Sequence, residues 1–404
     1  MGQQCSMSNG SSASAYRGGG GESGDSDLPT ATLLPRHHHG AVLSCSFLSP
    51  SAIVTGGDDK SLAITHLRPT PASPAEPIKV LKSHEGAVNT LHVFHPPSSP
   101  TPMVLSASRD TTVKLWGGSS KPVGNFLGHN LSVMAVGAHK DGNMVASGAR
   151  DYMVKVWDTN TCQCTSTSKV SRNLVTCLKF WDDGSYRFAQ GSEDLTMRVW
   201  DVRFITNNST NASCAVTFGK YLYFPLDVDV SKCGNHVVSS SKGFDGSGCE
   251  GRVWDIRSPD KPLHVLNGHT QDAVGCCYIN PEGGLPGWEG GALMATVSKD
   301  ESVRIWDTAS GECLCVHTEE GCGMWTAVRS WAGAAGGGAG GEDAGASGRF
   351  NPHLVATTYM GGIYVYEVVA GGGFGITLNC LNMVRPIVEE DYDLSEGVPH
   401  PADL

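Results

Sequence analysis

The chain has 404 residues, of which 40% are hydrophobic and 17% are charged, and its formal net charge is −11. Because nucleic-acid binding depends on clustered Lys and Arg, an acidic chain without a basic run is not expected to bind nucleic acid. No stretch of about 18 consecutive apolar residues occurs, so no membrane-spanning helix is predicted.

The N-terminal segment, residues 1–29, is rich in Gly and Ser and is predicted to be disordered. Its opening MGQQCS fits the N-myristoylation pattern, with Gly2 as the acceptor and Ser6 at the favoured position. One myristoyl chain binds membranes only marginally, so a second anchor is needed, and palmitoylation of Cys5 would supply it. The segment is therefore predicted to hold the protein at the cytoplasmic side of a membrane.

Four segments further along the chain share one pattern, in which an Asp stands six residues before a Trp. Small residues precede the Asp and β-branched residues alternate after it, which predicts a strand, a tight turn and a second strand. A His lies upstream of three of these segments, at His84, His129 and His269. The pairs are Asp110 and Trp116, Asp151 and Trp157, Asp194 and Trp200, and Asp300 and Trp306.

This pattern resembles the WD-repeat family, in which each repeat of about 40–45 residues forms one four-stranded blade. Three degenerate segments complete the series, with Thr65, Trp254 and Tyr366 at the position of the Trp. Seven units predict an all-β, seven-bladed β-propeller over residues 30–382, because a lone blade cannot bury both of its faces.

Two details of this ring are left open by the pattern. Its closure requires a strand from the far end of the chain, and two segments compete for this role: residues 31–34 before the first blade and residues 375–381 after the last. In the first blade, His39 falls where the His of a repeat is expected. For the three consecutive histidines, a structural role is favoured over metal binding, because no acidic or Cys residue lies at ligand spacing.

The family resemblance implies a hydrogen-bonded network of His, Ser or Thr, Asp and Trp inside a blade. In the second unit, His84 would pair with Asp110, and the indole N–H of Trp116 would reach a hydroxyl such as that of Ser106. Because a buried and satisfied network rigidifies a fold, these roles are structural rather than catalytic. The residues assigned to such networks are His84, Ser106, Asp110, Trp116, His129, Asp151, Trp157, Asp194, Trp200, His269, Asp300 and Trp306.

The resemblance also implies that the propeller binds partners through loops on one face, where the turn before each network Asp lies. Arginine and aromatic side chains are frequent anchors of protein interfaces. Other proteins are therefore the expected partners, and the propeller itself is expected to be a monomer. The candidate partner-binding residues are Arg109, Arg150, Glu193 and Lys299, together with Asp58, and Phe244 in the long turn of the fifth unit.

The sequence offers no motif for catalysis. It contains no phosphate-binding loop, no dinucleotide fingerprint and no paired C-x-x-C spacing. The 14 cysteines are scattered, and no signal peptide precedes them, so free thiols are predicted. No cofactor, metal or catalytic residue is expected; an enzyme on this scaffold would need ionisable residues lining the central channel.

Two low-complexity segments lie outside the repeats. Residues 331–349 form a Gly/Ala-rich insert within the last blade, predicted to lie between two strands. Residues 383–404 form an acidic tail that is predicted to be solvated and disordered.

Several stretches between residues 171 and 257 match more than the general repeat, above all SSKGF followed by GSGCE and WDIR. They resemble the family of WD repeat-containing protein 31. The resemblance implies a role in cilium assembly or in the regulation of intraflagellar transport. It also implies regulators of Arf-like small GTPases as partners, and the cilium or basal body as the location. Together with the acylation pattern, it predicts a membrane-tethered, non-enzymatic scaffold.

An alternative function rests on two repeats that end in W-D-x-R, at Arg203 and Arg257. This signature resembles the box by which some WD-repeat proteins dock the adaptor of a cullin-RING ubiquitin ligase. It implies a substrate receptor of such a ligase.

Overall fold

The structure, a computed structural model, describes residues 31–68, 78–169, 174–205, 214–219, 221–279, 285–319, 321–331, 351–371 and 375–386. Within these residues the chain forms 29 strands in seven sheets. The single helical element there is a 3-10 turn, Val202–Phe204. No helix in the described part of the chain is therefore long and apolar enough to span a bilayer.

The strands are numbered along the chain, and each sheet starts with its inner strand. Blade 1 contains β2 (Val42–Ser49), β3 (Ala52–Gly57), β4 (Ser61–His66) and β5 (Lys79–Lys82). Blade 2 contains β6 (Val88–Phe94), β7 (Met103–Ser108), β8 (Val113–Gly117) and β9 (Gly124–Phe126). Blade 3 contains β10 (Val133–Ala138), β11 (Met144–Ala149), β12 (Met153–Asp158) and β13 (Cys164–Lys169).

The remaining blades follow the same plan. Blade 4 contains β14 (Val175–Phe180), β15 (Arg187–Ser192), β16 (Thr196–Asp201) and β17 (Cys214–Phe218). Blade 5 contains β18 (Pro225–Val230), β19 (His236–Ser241), β20 (Glu250–Asp255) and β21 (His264–Asn267). Blade 6 contains β22 (Ala273–Ile279), β23 (Leu293–Ser298), β24 (Ser302–Asp307) and β25 (Cys313–Thr318). Blade 7 contains β26 (Trp325–Trp331), β27 (His353–Thr358), β28 (Ile363–Ala370), β29 (Ile376–Val384) and β1 (Thr32–Leu33).

The inner strands of the sheets close a ring. Each of β2, β6, β10, β14, β18, β22 and β26 packs against the inner strands of both neighbouring blades, and β26 packs against β2. Radial packing of this kind buries both faces of every blade and leaves only short edges. The predicted seven-bladed β-propeller is therefore confirmed.

Both segments considered for ring closure contribute to blade 7. The C-terminal segment provides β29, which pairs antiparallel with β28 as the fourth strand and continues to Val384. The N-terminal segment provides β1, which pairs parallel with β29, and the N–H of Leu34 donates to the carbonyl oxygen of Met383 at 2.7 Å. The two segments are therefore complementary, because β1 covers the outer edge that β29 would otherwise expose.

Small residues before the network Asp let neighbouring blades approach one another. A Cβ placed on Gly148 in blade 3 would lie 2.3 Å from Cγ1 of Val175 in blade 4. A Cβ placed on Gly56 in blade 1 would lie 2.6 Å from Cγ1 of Val88 in blade 2. Both distances are far shorter than a carbon–carbon van der Waals contact, so each site requires glycine. These repeat positions thus reflect the packing of one blade on the next.

The aromatic position of the repeat is part of the core. Where the position holds Thr65 or Tyr366 instead of Trp, the side chain is buried as well. The Trp side chains at this position, each at most 2% exposed, are Trp116, Trp157, Trp200, Trp254 and Trp306.

Candidate functional site

Blade 2 contains a complete four-residue network. Nδ1 of His84 lies 2.7 Å from Oδ2 of Asp110, and Nε2 lies 2.7 Å from the hydroxyl oxygen of Ser106. The indole N–H of Trp116 donates to the same hydroxyl oxygen at 2.8 Å. The distances fit one chain of donors, in which Trp116 donates to Ser106, Ser106 to His84, and His84 to Asp110.

Two further blades repeat this arrangement, with corresponding distances of 2.8–3.0 Å. They use His129, Asp151, Ser147 and Trp157 in blade 3, and His269, Asp300, Thr296 and Trp306 in blade 6.

The carboxylates of Asp110 and Asp300 are held in the ionised form. Burial by itself raises the pKa of Asp110, but hydrogen bonds from His84, Thr112 and the N–H of Glu85 outweigh it and hold that pKa well below its usual range. The pKa of Asp300 is lowered in the same way by His269 and Ser302 against the effect of burial.

In blade 1 the network histidine is His38, so the sequence-based placement of His39 is wrong. Nδ1 of His38 lies 3.0 Å from Oδ1 of Asp59, and Nε2 lies 2.9 Å from Oγ1 of Thr55. His39 contributes only its backbone N–H, which donates to Oδ2 of Asp59 at 3.3 Å. The side chain of His38 is almost completely buried, whereas that of His39 is exposed, so burial explains the choice.

Blade 4 has a salt bridge where blades 2, 3 and 6 have a His–Asp pair. Nη2 of Arg198 lies 2.5 Å from Oδ2 of Asp194. The indole N–H of Trp200 donates to Oε1 of Gln190 at 3.1 Å instead of to a hydroxyl. Asp194 and Trp200 therefore occupy their predicted positions, but with Arg198 and Gln190 as partners.

In blade 5 a tyrosine takes the place of the histidine. The indole N–H of Trp254 donates to the hydroxyl oxygen of Tyr221 at 2.8 Å, and this oxygen lies 2.7 Å from Oγ of Ser239. The guanidinium of Arg252 stacks on the ring of Tyr221, 4.4 Å from its centroid. Sequence reasoning missed Tyr221, although it precedes its Trp by 33 residues, close to the spacing between His84 and Trp116.

A depression of about 390 Å³ lies at the mouth of the central channel, on the face that carries the network Asp turns. It brings together Arg150, Glu193 and Lys299, three of the predicted partner-binding residues, from blades 3, 4 and 6. We call it the mouth depression. Its other lining residues include Lys242 and Asp272, and its apolar lining residues are Met134, Leu174, Val175, Phe224, Leu226 and Val274.

The charges around the mouth depression are only partly neutralised. Nζ of Lys299 lies 2.9 Å from Oδ2 of Asp272, whose Oδ1 accepts the N–H of Gly243 at 2.9 Å. Within the described part of the chain, no carboxylate lies within 4.0 Å of Arg150 or Lys242. Both are exposed. The mouth depression therefore presents two cations without a carboxylate partner beside a partly apolar wall, and Nζ of Lys242 lies 5.2 Å from the ring centroid of Phe224 in that wall.

The three other predicted partner-binding residues lie apart from the mouth depression. Nη2 of Arg109 lies 3.9 Å from Oδ1 of Asp58, and both side chains are exposed at the junction of blades 1 and 2. Phe244 is 75% exposed in the turn between β19 and β20. The structure thus groups three of the predicted residues, pairs Arg109 with Asp58 at one place on the rim and leaves Phe244 at another.

Charged side chains on the inner strands line the channel, which sequence reasoning did not identify. Nη1 of Arg329 lies 2.7 Å from Oδ2 of Asp227, and Nζ of Lys179 lies 3.3 Å from Oδ1 of Asp229. Desolvation in the channel, with Lys179 and Arg329 nearby, lowers the pKa of His92 to about 3. His92 is therefore neutral near pH 7 and a poor general base there.

The two channel aspartates join neighbouring blades. Oδ2 of Asp227 accepts the backbone N–H of Cys276 at 3.1 Å, and Oδ2 of Asp229 accepts that of Tyr278 at 2.9 Å. Both acceptors lie on β18 and both donors on β22. The signal that could have revealed them is a pair of acids alternating with valines in an otherwise apolar inner strand.

The W-D-x-R arginines, Arg203 and Arg257, both lie at the ends of their sheets that face away from the mouth depression. Nη2 of Arg203 lies 2.6 Å from Oδ2 of Asp201, and Nη2 of Arg257 lies 2.6 Å from Oδ2 of Asp255. Hydrogen bonds from Arg257 lower the pKa of Asp255 to about 2. Both arginine side chains remain about two-thirds exposed, at 63% and 67%.

Several predicted features lie outside the described residues. They are the lipidation sites Gly2 and Cys5, most of the Gly/Ala-rich insert and all of the acidic tail after residue 386. Among the residues that are described, no group of three or more His, Cys, Asp or Glu side chains is placed to hold a metal ion.

Four segments of the chain match a known family of repeats. The family model described as "WD domain, G-beta repeat" matches residues 75–117, 120–158, 161–201 and 260–307. Each match runs from the outer strand of one blade through the first three strands of the next. The matches end in blades 2, 3, 4 and 6, which are the four blades with the complete Asp-to-Trp spacing.

Several proteins of known name are similar in sequence to part of this chain. Nuclear distribution protein PAC1 of Arthroderma benhamiae is 29% identical over 239 residues, which is 53% of this chain and 49% of that protein. Mitochondrial division protein 1 of Saccharomyces cerevisiae is 27% identical over 198 residues, 41% of this chain and 27% of that protein. Human pre-mRNA-processing factor 17 is 32% identical over 134 residues, which is 32% of this chain and 22% of that protein. The matches to PAC1 thus cover about half of that protein.

Proposed function

We propose that this chain, a seven-bladed propeller of WD repeats, is a non-enzymatic platform that binds a protein partner at the mouth depression while its acylated N-terminus holds it at a membrane. The observation that carries the proposal is the convergence of Arg150, Glu193 and Lys299 on one depression at the channel mouth. Arginine side chains are frequent anchors of protein interfaces.

The channel carries the ionisable side chains that an enzyme on this scaffold would need, but their contacts favour a scaffold. Asp227 and Asp229 accept backbone N–H groups from β22 and form ion pairs with Arg329 and Lys179. Their oxygens are thus engaged in joining neighbouring blades, and removing one partner of such a buried pair would be costly.

Partner binding is tested by affinity purification of the full chain from ciliated cells, with quantitative mass spectrometry. The test variant combines Arg150→Ala and Lys299→Ala. The matched control combines Lys121→Ala and Lys261→Ala, two exposed lysines in the loops at the other end of blades 2 and 5. We expect the test variant to lose specific partners at least tenfold and the control to retain them. Equal recovery with both variants would contradict the proposal.

The site of action follows from Gly2, Cys5 and the resemblance to the family of WD repeat-containing protein 31. We propose that the protein acts at a ciliary membrane or basal body in intraflagellar transport, with regulators of Arf-like small GTPases among its partners. Metabolic labelling with an alkyne myristate should mark the wild type but not Gly2→Ala, and Cys5→Ser should reduce the membrane fraction of a labelled protein. An unlabelled wild type, or a membrane fraction unchanged in Gly2→Ala, would refute the tether.

The W-D-x-R arginines favour a second function, that of a substrate receptor of a cullin-RING ubiquitin ligase. Arg203 and Arg257 pair with Asp201 and Asp255 while most of each arginine side chain stays exposed, so both are accessible to a partner. The combined variant Arg203→Ala with Arg257→Ala should abolish co-purification of the ligase adaptor. The idea fails if the adaptor does not co-purify with the wild type.

A further inference from the structure

The chain leaves the propeller on the face that carries the mouth depression. Val384, the last residue of β29, pairs with Ile363 at the start of β28. A Cβ placed on Gly362, in the turn between β27 and β28, would lie 3.4 Å from Cγ of Pro386. The corresponding turns of blades 3, 4 and 6 carry Arg150, Glu193 and Lys299, so the tail begins on their side of the ring.

The direction of this exit is fixed by hydrogen bonds. Nη2 of Arg36 donates to the carbonyl oxygen of Arg385 at 3.2 Å and to that of Pro386 at 2.8 Å. Arg36, which binds these two carbonyl oxygens, thus lies just beyond β1, the strand that pairs with β29. The tail therefore starts from a defined point beside blade 7, next to the blade that carries Lys299.

The tail extends well beyond its exit point. The sequence continues from Pro386 to residue 404. An extended chain advances about 3.3 Å per residue, so ten residues span about 33 Å. Covalent attachment through a short flexible linker that spans the gap gives an effective concentration on the order of millimolar, at which even weak contacts are populated.

The composition of the tail complements the mouth depression. Its residues 388–396 read VEEDYDLSE, in which carboxylates alternate with Val388, Tyr392 and Leu394. The mouth depression presents the cations of Arg150 and Lys242, neither of them paired with a carboxylate, beside apolar side chains. Acidic side chains can pair with these cations while the apolar ones pack on the wall. The facing carboxylates include Glu193, which reduces this attraction, and Asp272, which is already neutralised by Lys299.

We propose that residues 388–396 bind in the mouth depression of the same chain and that a protein partner must displace them. The sequence alone predicts a solvated tail because it shows neither the depression nor the exit point. The inference rests on the proposed function for its consequence, competition with a partner, but contact between tail and depression is measured independently of any partner.

The test is zero-length cross-linking of the full chain with a carbodiimide at low protein concentration, followed by peptide mass spectrometry. This reagent joins only carboxylates and amines that are in contact. We expect peptides from residues 387–404 to be joined to Lys242 or Lys299 in the monomer fraction. The exposed lysines Lys121 and Lys261, at the other end of their sheets, serve as internal controls. Equal attachment to the control lysines would overturn the inference.

A matched pair of variants separates specific contact from chance encounter. Arg150→Gln neither adds nor removes a carboxylate or an amine and should reduce the tail–Lys242 product severalfold, whereas Lys121→Gln, at the other end of blade 2, should leave it unchanged. An unchanged product in Arg150→Gln would overturn the inference. If tail cross-links are absent while Arg150→Ala with Lys299→Ala still loses its partners, the tail contact fails and the proposed function stands. If tail cross-links form but no partner depends on the mouth depression, the contact stands and the proposed function fails.

Discussion

The hydroxyl oxygen of Tyr221 accepts the indole N–H of Trp254 at 2.8 Å, the bond that a serine or threonine accepts in blades 2, 3 and 6. One phenol thereby replaces the histidine and also satisfies the Trp. Blade 5 can consequently keep its buried Trp without a His–Asp pair.

We expect Tyr221→Phe to destabilise the fold by about 1–3 kcal/mol, because it leaves the buried indole N–H of Trp254 and the hydroxyl of Ser239 without their partner. Urea unfolding followed by Trp fluorescence measures the change. Tyr152→Phe, at an exposed tyrosine in blade 3, is the control and should be nearly neutral. Equal stability of Tyr221→Phe and the wild type would show that the bond contributes nothing.

Acid should weaken the propeller through its network aspartates. The pKa of Asp110 is lower in the folded chain than the ordinary value of about 3.9. A lowered folded-state pKa adds stability that is present above the unfolded pKa and is lost as the pH falls through the folded one. The free energy of unfolding should therefore decrease below about pH 4. Asp110→Asn should be less stable at pH 7 and show a shallower decrease, whereas Asp260→Asn, at an exposed residue, should follow the wild type.

The cysteines should differ in reactivity towards a thiol reagent at pH 7. Burial by itself raises the pKa of Cys233, but hydrogen bonds from Ser231 and the N–H groups of Asn235 and His236 outweigh it, so the pKa is lowered and this exposed thiol should react early. Burial raises the pKa of Cys45 to about 12. Cys45 should be modified only after unfolding. Site-resolved mass spectrometry over time gives the order, and Cys233→Ser should remove the early product. Early modification of Cys45 would contradict the burial that the structure shows.

Gly148→Ala should destabilise the junction of blades 3 and 4 by about 1–3 kcal/mol, because the added Cβ would meet Val175 at 2.3 Å. Thermal unfolding measures the loss. Gly219→Ala is the matched control, since nothing lies within 4 Å of its added Cβ. If both variants lost the same amount of stability, the loss would come from the backbone change and not from the contact between blades.

The ring itself could be predicted from the sequence because its signal is repetitive. The spacing from Asp110 to Trp116 recurs in three other blades, and each copy constrains the same strand–turn–strand unit. In blade 1 the spacing from Asp to Trp is incomplete, so the histidine of the network had to be predicted from residue type alone. The choice between His38 and His39 was wrong because adjacent histidines look alike in sequence, and only burial against Thr55 distinguishes them.

The mouth depression and the channel could not be predicted in the same way. Arg150 and Lys299 come from blades 3 and 6, and their proximity depends on closure of the ring, which no local pattern encodes. The ion pair between Asp227 and Arg329 likewise joins residues that are 102 positions apart. A single charged residue in an apolar strand can be located in a sequence. Its ion-pair partner cannot be assigned until the arrangement of the blades in the closed ring is known.

Binding at the mouth depression is tested most directly by the affinity of the purified chain for the most abundant partner recovered with the wild type, measured by isothermal titration calorimetry. We expect Arg150→Ala to raise the dissociation constant about tenfold, the effect of losing roughly 1.4 kcal/mol of binding energy, and Lys261→Ala to leave it unchanged. Equal dissociation constants for the wild type and Arg150→Ala would show that the partner binds elsewhere on the propeller.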